Sequence, residues 1–445
     1  MLRTSATAPT AGALVCERTR LTRDLPDDLL DCVPDTCAAS VYFAHPARDF
    51  EVVGEGIAAE IRADGPDRFA LAAASARALF GELALTGAGP APLLVGGFGF
   101  ADDRPTAPRW EGLPALHFVL PERLWIRTAG ETWLVQTSVA DRARGEVRFG
   151  SESNSEAAGG EHAPRTSAGE MASTRVAWID GVRGALAAIA AGPLRKIVLA
   201  RACESATTAT ARGTVRRLRD SRAECVSFWL QHGGASFVGS SPEVLARVAD
   251  GAIEVTALAG SAPRGRRAAN DEARARQLLV CPKNRGEHAF VADDVRRALA
   301  NVCAQVDEHE IEVRRYPEAF HLATPFRGTL LAGRGLLDAA RALHPTSAVC
   351  GAPREEARSM IAAVEPERGW YAGGVGWMDA SGQGTLAVAL RCGLFRRGSV
   401  TLWAGAGIVP DSDPATEYDE TEIKMQAMRR ALAEPEPFEN AAHAP

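Results

Sequence analysis

The 445-residue chain has no polybasic run, no CxxC pair, no stretch of 18 apolar residues and no phosphate-loop glycine motif. With a net charge of −6 and acids and bases mixed throughout, nucleic acid and anionic membrane surfaces are poor partners, and neither is expected. The nine cysteines (16, 32, 37, 203, 225, 281, 303, 350 and 392) are odd in number and scattered, which argues against a zinc site and a disulfide framework and for a reducing compartment. The N-terminal MLRTSATAPTAGALVCERTR lacks the continuous apolar core of a signal peptide, so a soluble cytoplasmic protein is expected. Neither GxxxxGK[ST] nor GxGxxG after a strand occurs, which speaks against a phosphate-loop nucleotide hydrolase. What is present is apolar material: 46% of the residues are hydrophobic, enough for a sizeable core in one large domain or in two or three ordinary ones.

Residues 141–173 are rich in Ser, Gly, Glu and Ala with almost no apolar periodicity, the composition of a flexible connection. It splits the chain, without proving two domains, into 1–140 and 174–433, and residues 434–445 read as a frayed tail. Before it, APLLVGGFGF, LHFVLPERLWIR and ETWLVQTSV read as strands and ADGPDRFALAAASARALFGEL as a helix. After it come a helix, TRVAWIDGVRGALAAIAAG, the strands RKIVLARACE, ECVSFWLQ, ASFVGS and AIEVTALAG, helices over roughly 269–304, and a glycine-rich strand region over 369–408. Strands and helices each come in runs, which predicts an α+β fold, a large mixed sheet assembly with helices packed outside.

Chemistry concentrates near the C-terminus, in AGAGIVPDSDPATEYDETEIK. Glu417, Glu420 and Lys424 share one helix face that continues as Met428 and Ala431, a core-like stripe. Glu287 likewise heads an aliphatic stripe of Val291, Val295 and Leu299. Carboxylates on a buried face need a cation or a substrate to compensate them, and three of them suit a hard ion such as magnesium, which takes one or two carboxylates, water and an anionic ligand. Equally, Glu287 can be a solvated helix start, and Glu420 with Lys424 a surface pair worth about 0.3–0.5 kcal/mol. Lys196 precedes an apolar run on the face of Val198 and Ala200, where lost hydration would make it a base; the bland reading is a strand-end lysine reaching water. Glu243 follows Ser241-Pro242 at a turn and, shielded from water, would stay protonated and act as an acid; an exposed turn glutamate is the alternative. Arg391 interrupts the apolar TLAVALRCGLF and must grip a carboxylate, the protein's or a ligand's. His321 and His344 are either catalytic or hydrogen-bonded core residues.

In this order the segments KIVLAR (196–201), FVGSSPE (237–243), LAGSAPRG (258–265), KNRGEH (283–288), FHLAT (320–324), LHPTSAVCG (343–351), RGWYAGGVGW (368–377), VALRC (388–392) and AGAGIVPDSDPATEYDET (404–421) resemble the chorismate-utilising enzymes. The resemblance is strong over about 175–432, and GGFGF (96–100) with FVLP (118–121) is similar to that family's N-terminal half. It implies magnesium on Glu287 and Glu420, with Glu417 contributing directly or through water, and chorismate as substrate. It implies Lys196 as general base and Glu243 as general acid. Arg391, Tyr371 and the Gly405 backbone would bind the enolpyruvyl carboxylate, with Lys424 beside the acids and Gly260, Ser261, His321 and Ala348 lining the substrate site.

Within the family, the presence of Lys196 differs from the anthranilate-forming members, and Ala259 stands where the aminodeoxychorismate-forming members carry a nucleophilic lysine. His344 and Ala348 resemble the isochorismate-forming branch, whereas salicylate synthases, the alternative, tend to carry threonine at the position of Ala348. The implied reaction adds water at ring C2 and expels the C4 hydroxyl, an isomerisation whose product serves menaquinone, catechol siderophore or salicylate formation. A monomer is expected. Two departures stand near the expected ring pocket: Ser347 in place of the usual proline, and AGSAPRG in place of the commoner AGTxxRG.

Overall fold

Two large sheets face each other, and nearly every neighbouring pair of strands is antiparallel. The computed structural model describes residues 14–22, 25–34, 37–139, 168–264, 268–316 and 319–433; the tail expected over 434–445 and most of the connection expected over 141–173 lie outside them. The helix after that connection spans Ala168–Ala191, so it begins inside the segment read as a loop.

The twelve-stranded sheet runs Gly351–Ala352, Lys196–Ala206, Ser399–Ile408, Cys392–Arg396, Ala235–Ser241, Val226–His232, and then Ser40–His45, Phe50–Glu55, Arg123–Thr128, Glu131–Val139, Leu14–Leu21 and Ala84–Thr86. The ten-stranded sheet runs Cys303–Glu308, Ala319–Leu330, Ala252–Pro263, Val244–Ala249, Gly384–Val388, Gly374–Met378, and then Leu94–Phe98, Leu116–Leu120 and Ala59–Ala63, with Glu312–Arg315 also on Ala319–Leu330. Each sheet continues from C-terminal into N-terminal strands, through Trp229 opposite Tyr42 in one and Gly376 opposite Gly96 in the other. Strands such as Leu94–Phe98 and Leu116–Leu120 are buried along their whole length, which explains why they do not alternate apolar with polar residues.

The helices cover the outside. Pro282–Leu299 packs on strand Ala252–Pro263, and Pro414–Leu432 on strand Ser399–Ile408, so the two helices that carry the acidic residues lie on different sheets. Both begin with proline, whose missing N–H costs nothing in the first turn, and the Asp413 carboxylate accepts from Thr416 N at 2.8 Å to cap the second. Their apolar faces hold them down: Val291, Val295 and Leu299 in one, and Met425, Met428 and Ala431 in the other, are buried.

Twice the chain leaves one sheet and enters the other at a point that matters below. Strand Ala235–Ser241 passes through Pro242 and Glu243 into Val244–Ala249, and Gly384–Val388 passes through 389–391 into Cys392–Arg396. Arg391 is therefore not in mid-strand, as its apolar context predicts, but at the crossing, with a left-handed φ of 49° that ends one strand and starts the next. The two crossings bind each other: Val388 N donates to Glu243 O at 2.9 Å, and Ser240 N to Arg391 O at 3.2 Å.

Candidate active site

A cavity of about 640 Å³ opens between the sheets where the two crossings meet. One sheet contributes Val198, Gly405 and Gly407, and the other contributes Leu258, Ala259, Gly260, Ser261 and His321. The crossings add Pro242, Glu243, Leu390 and Arg391, and the helices add Glu287, Glu420 and Lys424. Ala348, Val349 and Tyr371 complete the wall, so all eight residues expected at the substrate line one space. Lys196 and Glu417 are buried and do not line it.

Lys196 is 1% exposed, and its Nζ lies 3.2 Å from Glu287 Oε1. Gly407 makes that meeting possible: a Cβ there would sit 2.8 Å from Glu287 Oε1 and 3.3 Å from Lys196 Cε. Alternation in AGAGIV puts 405 and 407 on one face, so this close approach was available from a period of two. Gly260, at φ +74°, bulges the facing strand, and a Cβ there would meet Asn284 O at 2.8 Å. The start of the Glu287 helix thus lies directly on the wall. Sequence reasoning passed over His288, which is buried and ties this helix to the wall through Ala259 O (3.2 Å) and Thr324 Oγ1 (2.8 Å).

Burial pushes the Glu243 carboxyl up to about 7, against the opposing pull of Arg391, Lys196 and Lys424. It therefore keeps a proton that an ordinary glutamate has lost. Burial of the Glu420 carboxyl acts in the same direction, but the Lys424 ammonium at 2.6 Å holds it below the usual range; Lys424 also donates to Gly405 O at 2.8 Å. His321 is pushed down to about 3 by burial and by Arg391 and Lys424, so the imidazole facing the cavity is neutral. Burial raises the Tyr371 phenol, which stays a donor. Arg391 on this wall and Ala372, next to Tyr371, both hold left-handed backbone, conformations that persist only where the surroundings enforce them.

The three acids do not form a closed cage. Among the described residues no three His, Cys, Asp or Glu side chains converge as metal ligands. Each acid instead meets a lysine: Glu287 meets Lys196, Glu420 meets Lys424, and Glu417 meets Lys283 at 3.8 Å. Burial and the charge of Glu420 raise the Glu417 carboxyl, so those two feel one another. Glu287 and Glu420 both face the cavity, and two carboxylates from two helices are a donor set that fits magnesium, which completes its shell with water and an anionic ligand.

His344 lies outside this space. Its Nε2 is 3.1 Å from Phe100 O, its ring packs edge-on against Phe98, and burial pushes it down to about 3; it is a core residue. Ser347 also faces away, with its hydroxyl donating to Phe290 O at 3.2 Å and its amide to Asp294 at 2.8 Å. That departure from the usual proline thus pins the Glu287 helix rather than altering the wall, whereas Ser261 does line it. All nine cysteines are free, as their spacing predicts. No helix among the described residues is long and apolar enough to cross a membrane.

Comparison with known proteins gives a consistent picture. The family model described as chorismate binding enzyme matches residues 9–433. The salicylate biosynthesis isochorismate synthase of Pseudomonas aeruginosa is 38% identical over 270 residues, covering 59% of this chain and 56% of its own. Anthranilate synthase component 1 of Halobacterium salinarum is 35% identical over 272 residues, covering 59% of this chain and 51% of its own. The chain thus spans about half the length of the curated relatives it matches. Among solved structures, a putative 2,3-dihydroxybenzoate-specific isochorismate synthase from Bacillus anthracis superposes with a TM-score of 0.72 at 26% identity, covering 91% of this chain and 98% of that one.

Proposed function

The chain belongs to the chorismate binding enzymes, and we propose that it is an isochorismate synthase, a magnesium-dependent isomerase acting on chorismate. The observation that carries this reading is a carboxylic acid, Glu243, facing the same cavity as Arg391 and the Glu287 that holds Lys196. In the proposed reaction Lys196 takes a proton from the water that adds to C2. Glu243 gives its proton to the C4 hydroxyl, which leaves as water, and the ring double bonds shift between them. An acid that keeps its proton is half of the division of labour that such a paired transfer needs, and Lys196 is proposed for the other half.

Charge supports the rest. With Glu243 a carboxylic acid, the charges lining the cavity are Arg391 and Lys424 against Glu287 and Glu420, which sum to zero. Chorismate brings two negative charges, and a magnesium ion held by Glu287 and Glu420 would balance them and give the ring carboxylate a binding point. Arg391, Tyr371 and the Gly405 backbone would hold the enolpyruvyl carboxylate, the guanidinium as a fork and the phenol as a neutral donor. Neutral His321 contacts the substrate without adding charge. The isochorismate synthase names borne by the Pseudomonas relative and the Bacillus structure support this branch. So does the presence of Lys196, the absence of a lysine at Ala259, and the small Ala348 on the wall.

Incubating the pure protein with chorismate and magnesium tests the proposal by chromatography. Isochorismate alone is expected. Fluorescent salicylate formed without a second enzyme, or anthranilate formed when ammonia is added, would overturn it.

A further inference from the structure

Tyr316 belongs to none of the motifs above and does not line the cavity, yet it touches the residues that do. It lies between strands Glu312–Arg315 and Ala319–Leu330 and is buried, in a small apolar cluster with Cys225, Leu258 and Ala323. Its hydroxyl donates to Pro242 O at 3.0 Å, a fully buried contact across 74 residues of sequence. Pro242 is the residue before Glu243, on the crossing between the sheets, and both face the cavity. The edge of the same ring packs on His321, centroid to centroid 5.7 Å, and His321 faces the cavity from the strand that follows. The chain itself fixes where the ring sits: Tyr316 N donates to Ala319 O at 3.0 Å, and Arg264 donates to Tyr316 O at 3.0 Å.

We propose that Tyr316 is a positioning residue for Glu243: its hydroxyl fixes the carbonyl next to the acid, and its ring fixes the imidazole opposite. Other hydrogen bonds hold the flanks of the turn that carries Glu243: Ser240 N donates to Arg391 O at 3.2 Å before it, and Ser241 Oγ donates to Glu243 O at 3.3 Å. Ser241 Oγ accepts from Glu243 N at 3.2 Å, and Val388 N donates to Glu243 O at 2.9 Å. These bonds hold Glu243 itself and the strand end before the turn; Tyr316 holds the Pro242 carbonyl between them. A buried phenol that stays neutral is suited to this, since it always has a proton to donate; burial lifts the Tyr316 phenol to about 12. Releasing the Pro242 carbonyl leaves a buried acceptor without a partner, which water or a shift of the turn must satisfy. Either change alters the aim and the burial of the carboxyl.

The inference rests on the reading of Glu243 as the acid, so two variants are measured together. Tyr316→Phe keeps the ring and removes the hydroxyl. Its kcat is expected to fall about 10-fold with KM within about twofold, because a misplaced proton donor is felt in the transition state rather than in binding. The alkaline limb of its kcat–pH profile is expected to move to lower pH as the carboxyl becomes better hydrated. A parental kcat and an unmoved limb, with at most a lower melting temperature, would reduce Tyr316 to a structural residue and overturn the inference. Glu243→Gln separates the two ideas: an active Glu243→Gln overturns the acid, whereas an inactive one beside an unaffected Tyr316→Phe overturns the inference alone. If the phenyl variant does not fold, Tyr316→His, which keeps a ring and an N–H donor, is read by the same two measures.

Discussion

Two cavities lie between the same pair of sheets and differ in almost every other respect. The smaller, about 360 Å³, is walled by Val41, Ile57, Val95, Leu113, Val119 and Leu230, and its polar residues are internally matched or neutral. There His117 pairs with Glu60 at 2.9 Å, and His232 lies 2.9 Å from Arg62. The larger cavity gathers Glu243, Glu287, Glu420, Arg391 and Lys424. Consecutive residues divide the two: Trp370 faces the apolar space and Tyr371 the charged one. The sheets alone do not make a site, because they supply mostly small or apolar side chains to both. Charge enters the larger cavity where the chain crosses between sheets, at Glu243 and Arg391, and where two helix starts lean in.

If that contrast is real, substitutions in the charged cavity remove activity and leave the fold, and substitutions in the apolar cavity do the reverse. The largest effect is expected at Glu243→Gln: kcat reduced about 10³-fold, within the span of a lost general acid, with an unchanged circular dichroism spectrum. A variant that keeps a tenth of the parental kcat would dismantle the acid assignment. Next comes Leu230→Ala, which hollows the apolar side. It should cost about 2–4 kcal/mol in urea unfolding while kcat/KM stays within about threefold, and a collapse of kcat/KM would show that the two cavities are coupled. Smaller still, Glu287→Gln should weaken magnesium binding about 10–100-fold, by the scale of lost ligand support. Calorimetry or Mn²⁺ resonance reads this without turnover, and unaltered affinity would remove Glu287 from the metal site.

The same contrast explains what the sequence made legible. Strand and helix runs were readable because burial imposes their periods: the strand read from RKIVLARACE starts at Lys196, and the helices read over 269–304 are Ala268–Val280 and Pro282–Leu299. Glu287, Glu417 and Glu420 stood out because a carboxylate heading an apolar stripe breaks a physical rule. Arg391 stood out for the same reason, but its place did not follow, since an apolar stretch does not reveal where a chain changes sheets; the left-handed kink does. Spacing showed the Glu420–Lys424 pair but not the other two, because Lys196 and Glu287, 3.2 Å apart in space, stand 91 positions apart in sequence. Tyr316 was invisible for a related reason: what it holds is a backbone carbonyl, which has no signature in side-chain pattern.

The smallest expected effect turns the function of Glu243 into a property of the fold. Its carboxyl titrates at about 7 in the folded protein against an ordinary 4.5. Below about 4.5 it is protonated in folded and unfolded chains alike, and it contributes no pH dependence. As pH rises the unfolded chain ionises first, so this contribution to stability is lost progressively until the folded carboxyl ionises as well, near 7, and is constant above that. The full displacement corresponds to about 3 kcal/mol, and hydration through the cavity mouth reduces the expected value to about 1–2 kcal/mol. Glu243→Gln has no proton to lose and escapes the penalty. Urea unfolding of both proteins from pH 5 to pH 9 should therefore give similar stabilities at the acid end and a more stable variant at the alkaline end. A gap that stays constant or shrinks with pH would mean that Glu243 is ionised in the folded protein, and the two cavities would then differ in charge but not in chemistry.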